Sequence, residues 1–141
     1  MISRTTEYAL NVLRYLARDP GLRVPTQTLA KETGVPANYL SKILSQLRKR
    51  NVVEGKKGWC GGFRLLPNAL DLPIRDITDI FEKHFARTLA ERCIFGLGEC
   101  DGANPCALHF QWERVRRERD AMLATNKVRD LLRNKLGETP P

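Results

Sequence analysis

"VPANYLSKILSQLRKRNVVEGKKGWCGGFRL", residues 35–65, is the stretch on which the fold turns. After Pro36, the residues Tyr39, Leu40, Ile43, Leu44 and Leu47 recur at helical spacing and define one apolar face. Asn38, Ser41, Lys42, Ser45, Arg48 and Lys49 occupy the other, which is small, polar and basic. Residues 51–54 and 63–66 follow, two short runs separated by the glycine-rich, basic tip GKKGWCGG. That pattern predicts a β-hairpin behind a helix.

Upstream, Ala9, Val12, Leu13, Leu16 and Ala17 keep the i, i+3, i+4 pattern, so residues 3–18 read as an amphipathic helix capped by Ser3 and stopped at Asp19-Pro20-Gly21. A second helix opens near Thr26 and closes at Gly34. Helix, helix-turn-helix and basic hairpin, in that order, predict a mostly α chain. A winged helix-turn-helix DNA-binding domain fills residues 1–70, and residues 71–141 carry a cysteine loop (90–107) and a long C-terminal dimerisation helix. In such a domain the third helix enters the major groove and the wing reaches phosphates or the minor groove. Asn38, Ser41, Lys42 and Ser45 are therefore assigned to the groove, and Lys56, Lys57 and Arg64 to the wing and its phosphate contacts.

The charge divides along the chain in the same way. Of the net +8, all lies in residues 1–66, where twelve Lys and Arg face four Asp and Glu; residues 67–141 carry twelve of each. A field of that sign concentrates polyanions at one end of the molecule, and double-stranded DNA is the partner it suits. The bland reading is a solvated basic surface kept for solubility.

Beyond the hairpin, Asp71-Leu72-Pro73-Ile74 looks like the cap and first turn of a helix through Ile77, Ile80 and Phe81. From Cys106 a long helix is expected, with Leu108, Trp112, Val115, Arg119 and Met122 at steps of four, three, four and three. So narrow a seam suits pairing with a second copy of the chain, a homodimer held through Leu108, Trp112, Val115 and Met122; packing against the first helix is the alternative. Thr125 reads as the cap of a last short helix to Leu136, after which residues 137–141 fray.

The loop between these helices holds Cys93, Cys100 and Cys106, with His109 three residues beyond the last. No basic start with an unbroken apolar run opens the chain, and no uncharged stretch reaches the roughly 18 residues of a membrane span. A cytoplasmic protein without membrane contact follows as the expectation. Thiols stay reduced in that compartment, so the cysteines read as metal ligands, redox groups or core residues rather than disulfides. An iron-sulfur cluster accepts three widely spaced thiolates plus a fourth ligand. Structural zinc on three Cys and His109 is the alternative cofactor, although zinc sites favour closer pairs. Plain reduced thiols are the third reading. Cys60, in the hairpin tip, stands apart as an incidental exposed thiol. No catalytic residue is assigned: His84 and His109 lack a nucleophile or acid at a recognisable spacing, and no phosphate-cradling motif or small-molecule site is apparent.

Taken together, Thr6-Glu7-Tyr8-Ala9-Leu10, "VPANYLSKILSQLRKRNVV", "GWCGGFRL", "IRDITDIFE", the three-cysteine loop, "ALHFQW" and "TNKVRDLL" resemble the bacterial winged-helix iron-sulfur transcription regulators typified by IscR and NsrR, over nearly the whole chain. The resemblance implies a homodimer on palindromic operators, with a cluster, [2Fe-2S] or [4Fe-4S], on Cys93, Cys100 and Cys106 and a non-cysteine fourth ligand. Operator affinity would then answer to redox state, nitric oxide or cluster status. Five residues usually separate the first two cysteines in such proteins; here six do, Ile94 to Glu99. In relatives the fourth ligand is a histidine after the third cysteine, which maps to His109, or a first-helix carboxylate from the partner subunit, which maps to Glu7. Glu7 is favoured because it is the lone acid in residues 1–18. Its alternative role is an ion pair with Arg4 or Arg14. A constitutive DNA-binding regulator with zinc or reduced thiols is the competing function.

Overall fold

The computed structural model describes residues 2–82 and 92–133. Helix α1 (Arg4–Leu16) opens as the sequence predicts, with Ser3 Oγ accepting the Thr6 N–H at 3.2 Å. Its buried stripe is Thr6, Ala9, Val12, Leu13 and Leu16. Helix α2 (Thr26–Thr33) ends on Gly34 in the left-handed region, and α3 (Ala37–Lys49) follows after Pro36. Leu40, Ile43, Leu44 and Leu47 of α3 are all buried, so the predicted stripe holds with one exception. Tyr39 is 44% exposed and lies edge-on to the Tyr8 ring at 5.7 Å. It borders the stripe rather than joining it.

The wing is an antiparallel pair, β1 (Val53–Lys56) and β2 (Gly62–Leu65), in the register Val53↔Leu65, Glu54↔Arg64, Gly55↔Phe63, Lys56↔Gly62. A third backbone segment joins it. Val24 exchanges both hydrogen bonds with Phe63, at 2.8 and 2.9 Å, which ties the α1–α2 connection to the wing. Gly62 permits this approach: it has φ +134°, and a Cβ there would lie 2.3 Å from the Val24 carbonyl oxygen.

A 3₁₀ turn, Pro67–Asp71, leads to α4 (Ile74–Phe81), whose cap position is Pro73. Asp71 therefore does not cap this helix. Its carboxylate instead accepts from Arg129 at 2.6 Å and faces Lys127 at 3.8 Å, fastening the far end of the chain. The long helix, α5 (His109–Thr125), begins three residues later than expected, so Cys106 precedes it and meets it only through its carbonyl, which accepts the His109 N–H at 3.0 Å. Thr125 closes α5, its hydroxyl donating back to the Ala121 carbonyl at 2.8 Å. The last turn, Val128–Leu132, is 3₁₀ and starts from Lys127, whose N–H donates to Asp130 at 2.8 Å. Residues 83–91, which hold His84 and the start of the predicted loop, and residues 134–141, which hold the predicted end at Leu136, lie outside the described residues.

The core gathers α1, α2 and α3 with Val24, Val52, Val53 and Leu65, and it also takes in Ile77 of α4 and Val128 from the last turn. Each such aliphatic contributes about 1.5–3 kcal/mol by leaving water. Two backbone bonds, Ile74 N–H to the Asn126 carbonyl at 2.8 Å and Val128 N–H to the Leu72 carbonyl at 3.0 Å, join the last turn to the segment that opens α4. Helix α5 runs against α4 and buries only His109 fully.

Candidate nucleic-acid interface and thiol loop

Burying the apolar stripe of α3 leaves Asn38, Ser41 and Lys42 exposed and Ser45 half-buried on its outer face. Lys56 and Lys57 are exposed at the wing. With Arg48 of α3 and Thr26 and Gln27 of α2 they line a single recess of about 470 Å³, so the two elements present one basic surface. Arg48 stood on the polar face in the sequence without an assigned role. Its place across from the wing lysines depends on how the hairpin folds back, which helical periodicity does not encode.

Arg64 is differently placed. Its Nε donates to Glu54 Oε2 at 2.5 Å, directly across the strand register, and Arg23 reaches the same oxygen at 3.5 Å. The Arg64 guanidinium holds the Glu54 carboxyl below the usual carboxylate range. Arg64 thus serves the hairpin's own cross-strand pair, and its charge is partly matched within the wing.

In the cysteine loop, the backbones of Arg92 and Glu99 pair as an isolated antiparallel β-bridge, the Cys93 N–H donates to the Gly98 carbonyl at 2.9 Å, and the Gly96 N–H donates to the Cys93 carbonyl at 2.9 Å. This knot brings Cys93 Sγ to 4.0 Å from Cys106 Sγ. Backbone N–H groups of Phe95 and then Leu97 donate toward the Cys93 sulfur and hold its thiol below the ordinary value, outweighing its burial. Cys100 Sγ lies 3.3 Å from Nδ1 of His109, and the Arg116 guanidinium donates to the same sulfur at 3.8 Å. Asp101 braces the turn by accepting from the Ala103 N–H at 2.8 Å. His109 is buried, edge-on to Phe110 at 5.3 Å.

The loop therefore draws its donors into two pairs. Among the described residues no group of three or more His, Cys, Asp and Glu surrounds one point as an ion would require. The chemistry nevertheless fits a thiophilic centre. Two thiolates on one tetrahedral ion stand about 3.8 Å apart at ordinary metal–sulfur lengths, close to the Cys93–Cys106 separation, and Cys93 is biased toward the thiolate that binds metal. Glu7 stays outside this group within its own chain: it is half-exposed and pairs with Arg4 at 3.3 Å.

On α5 the predicted seam is open. Leu108, Val115 and Met122 are 42%, 42% and 52% exposed, Trp112 is half-buried, and Arg119 is half-buried against Asp120. No helix among the described residues is long and apolar enough to cross a membrane.

Residues 2–134 match the family model Rrf2, described as an iron-dependent transcriptional regulator. The chain belongs to the Rrf2 family. As an Rrf2 protein it is a helix-turn-helix transcriptional regulator with a winged-helix fold, and not an enzyme. It is 31% identical over 134 residues to a putative HTH-type transcriptional regulator of Aquifex aeolicus, covering 94% of this chain and 91% of that protein. IscR of Vibrio vulnificus is 28% identical over 116 residues, 82% of this chain but only 61% of that protein's length. Among solved Rrf2-like folds, the oxidized form of Staphylococcus aureus CymR superposes with a TM-score of 0.72 at 22% identity, covering 93% of this chain and 94% of that one. IscR from T. potens superposes at 0.69 with 20% identity, covering 94% and 85%.

Proposed function

We propose that this Rrf2 regulator is a cytoplasmic homodimer that binds palindromic duplex operators and carries an iron-sulfur cluster on Cys93, Cys100 and Cys106, with Glu7 of the partner subunit as fourth ligand. Residues 1–70 form the DNA-binding domain and residues 71–141 the loop and dimer arm. The observation that supports this most is the pairing of Cys93 with Cys106, 4.0 Å apart, just before α5, while Cys100 lies against His109, the first residue of that helix. Glu7 suits its role because an exposed pair with Arg4 is worth at most about 1 kcal/mol and releases the carboxylate cheaply. His109, packed on Cys100, then orients a ligand rather than serving as one. When bound, the cluster supplies a centre sensitive to redox state and nitric oxide.

The chain's own residues supply the mechanical route. Helix α5 packs on α4, and Glu82, just past α4, accepts from the Ser3 N–H at 2.7 Å and from the Thr6 hydroxyl, next to Glu7. Any tilt of the dimer arm thereby reaches the base of the DNA-binding domain. Two recognition helices must stand about 34 Å apart to enter successive major grooves, so a small tilt changes the fit. A decisive switch needs the balance between the two arrangements to shift by about 5.5 kcal/mol. On DNA, Asn38, Ser41, Lys42 and Ser45 face the groove, while Lys56, Lys57 and Arg64 act from the wing; Leu108, Trp112, Val115 and Met122 form the dimer seam.

Anaerobic purification tests the proposal. Brown protein with iron and sulfide is expected, its colour lost in Cys93→Ser, Cys100→Ser and Cys106→Ser, altered in Glu7→Ala and retained in His109→Ala. The Cys100–His109 contact favours a second reading, structural zinc in a constitutive regulator. Colourless protein with one zinc per chain and unchanged operator binding in the serine variants would establish that reading instead.

A further inference from the structure

Trp59 is the most exposed large apolar residue described, at 95%, while every other aromatic of the DNA-binding half is at least partly covered. It sits in the turn between β1 and β2, between Gly58 at φ +89° and Cys60 at φ +60°. The Gly61 N–H closes the turn onto the Gly58 carbonyl at 2.9 Å, and a Cβ at Gly61 would strike the Lys56 and Gly58 carbonyls at 2.5 and 2.6 Å. Below it, Gly62 is locked against Val24. The indole is thus carried on a stiff support whose strain at Cys60, a non-glycine residue in the left-handed region, gains the core nothing. Lys56 and Lys57 flank its base and share one recess with Arg48 of the recognition helix, so the ring projects from the surface that attracts a polyanion.

We infer that Trp59 is a minor-groove wedge: with the wing lysines on phosphates, its indole inserts at a base step and makes affinity depend on how readily that step unstacks. An apolar side chain on a basic, rigid tip meets the requirement for such insertion, and flexible pyrimidine–purine steps yield to it most easily. Sequence preference would then extend beyond the bases that α3 touches. The inference rests on the DNA-binding reading above, which supplies the partner and the placement of the wing.

The test uses the full chain, purified anaerobically, and a pool of randomised 40-base-pair duplexes. Wild type is expected to enrich TA or CA/TG steps on either side of the bases read by α3. Trp59→Ala should lose that flanking preference and bind the selected duplex roughly five- to hundredfold more weakly, from the worth of one aromatic–base stack. Its salt slope should stay unchanged because every phosphate partner is kept. Trp59→Phe should restore most of both. Folding is not at issue for a side chain that touches no core residue. A Trp59→Ala chain that enriches the same sequence with wild-type affinity overturns the wedge alone. So does a Trp59-dependent sedimentation with phosphatidylserine vesicles when DNA binding is unaltered. A wild-type chain that enriches nothing brings down the operator reading itself, and the wedge with it.

Discussion

Replacing Glu82 tests whether the arm and the DNA-binding domain are joined at one carboxylate. Glu82 is 6% exposed, and one of its oxygens accepts from the Ser3 N–H at 2.7 Å and from the Thr6 hydroxyl, 79 and 76 residues away in sequence. Its other oxygen is buried with no partner among the described residues, which offsets part of the gain. A hydrogen bond to a charged acceptor contributes about 1.5–3 kcal/mol. Glu82→Ala deletes both and leaves the Ser3 N–H unpaired, although Thr6 keeps the Ser3 hydroxyl at 3.0 Å. The expected loss is about 2–4 kcal/mol, and for Glu82→Gln, which keeps one acceptor but no charge, about 1–2 kcal/mol. At roughly 3–4 °C per kcal/mol for a chain of this size, the alanine variant should melt about 6–16 °C lower.

The pH dependence gives an independent check. Burial raises the Glu82 pKa, but the bonds from Thr6 and Ser3 together hold it below its ordinary value. The carboxylate therefore stabilises fully above the unfolded-state pKa, and this contribution is lost as pH falls through the lower folded-state value. Wild type and Glu82→Gln should differ most above the ordinary carboxylate range and converge as acid carries the solution below the folded-state value. Urea unfolding at fixed protein concentration, repeated across that range, reads the difference. Equal midpoints for wild type and Glu82→Gln at pH 7, or a gap that widens with acid, would refute the assignment.

Gly62→Ala should cost about 2–4 kcal/mol and loosen the wing, because its Cβ would collide with the Val24 carbonyl oxygen 2.3 Å away; thermal melting and amide exchange at Val24 and Phe63 read both effects. Lys56→Ala with Lys57→Ala should lower the slope of log affinity against log salt by nearly two, about 0.9 for each phosphate no longer neutralised, while an unchanged slope removes these lysines from the interface. Val115→Glu with Met122→Glu places charge on the exposed seam of α5 and should convert a dimer to monomers in sedimentation velocity without lowering the monomer's helix content.

By itself the sequence determined the winged helix-turn-helix. Apolar period, Ser3 as a cap, Gly34 as a stop and a glycine-rich basic tip are local signals, and each depends on residues within a few positions of one another. It also determined that three thiols share one loop. What only the tertiary structure decided are relations across distance. Val24 becomes a third partner of the wing, Asp71 a clasp for Arg129 rather than a cap, and Glu82 the tie to α1. Arg64 turns to Glu54, and Cys93 sits beside Cys106 while Cys100 sits beside His109. Side-chain periodicity reports which face of an element leaves water, but a polar residue is satisfied by whatever donor the fold brings within about 3 Å, and that partner has no fixed offset in the chain.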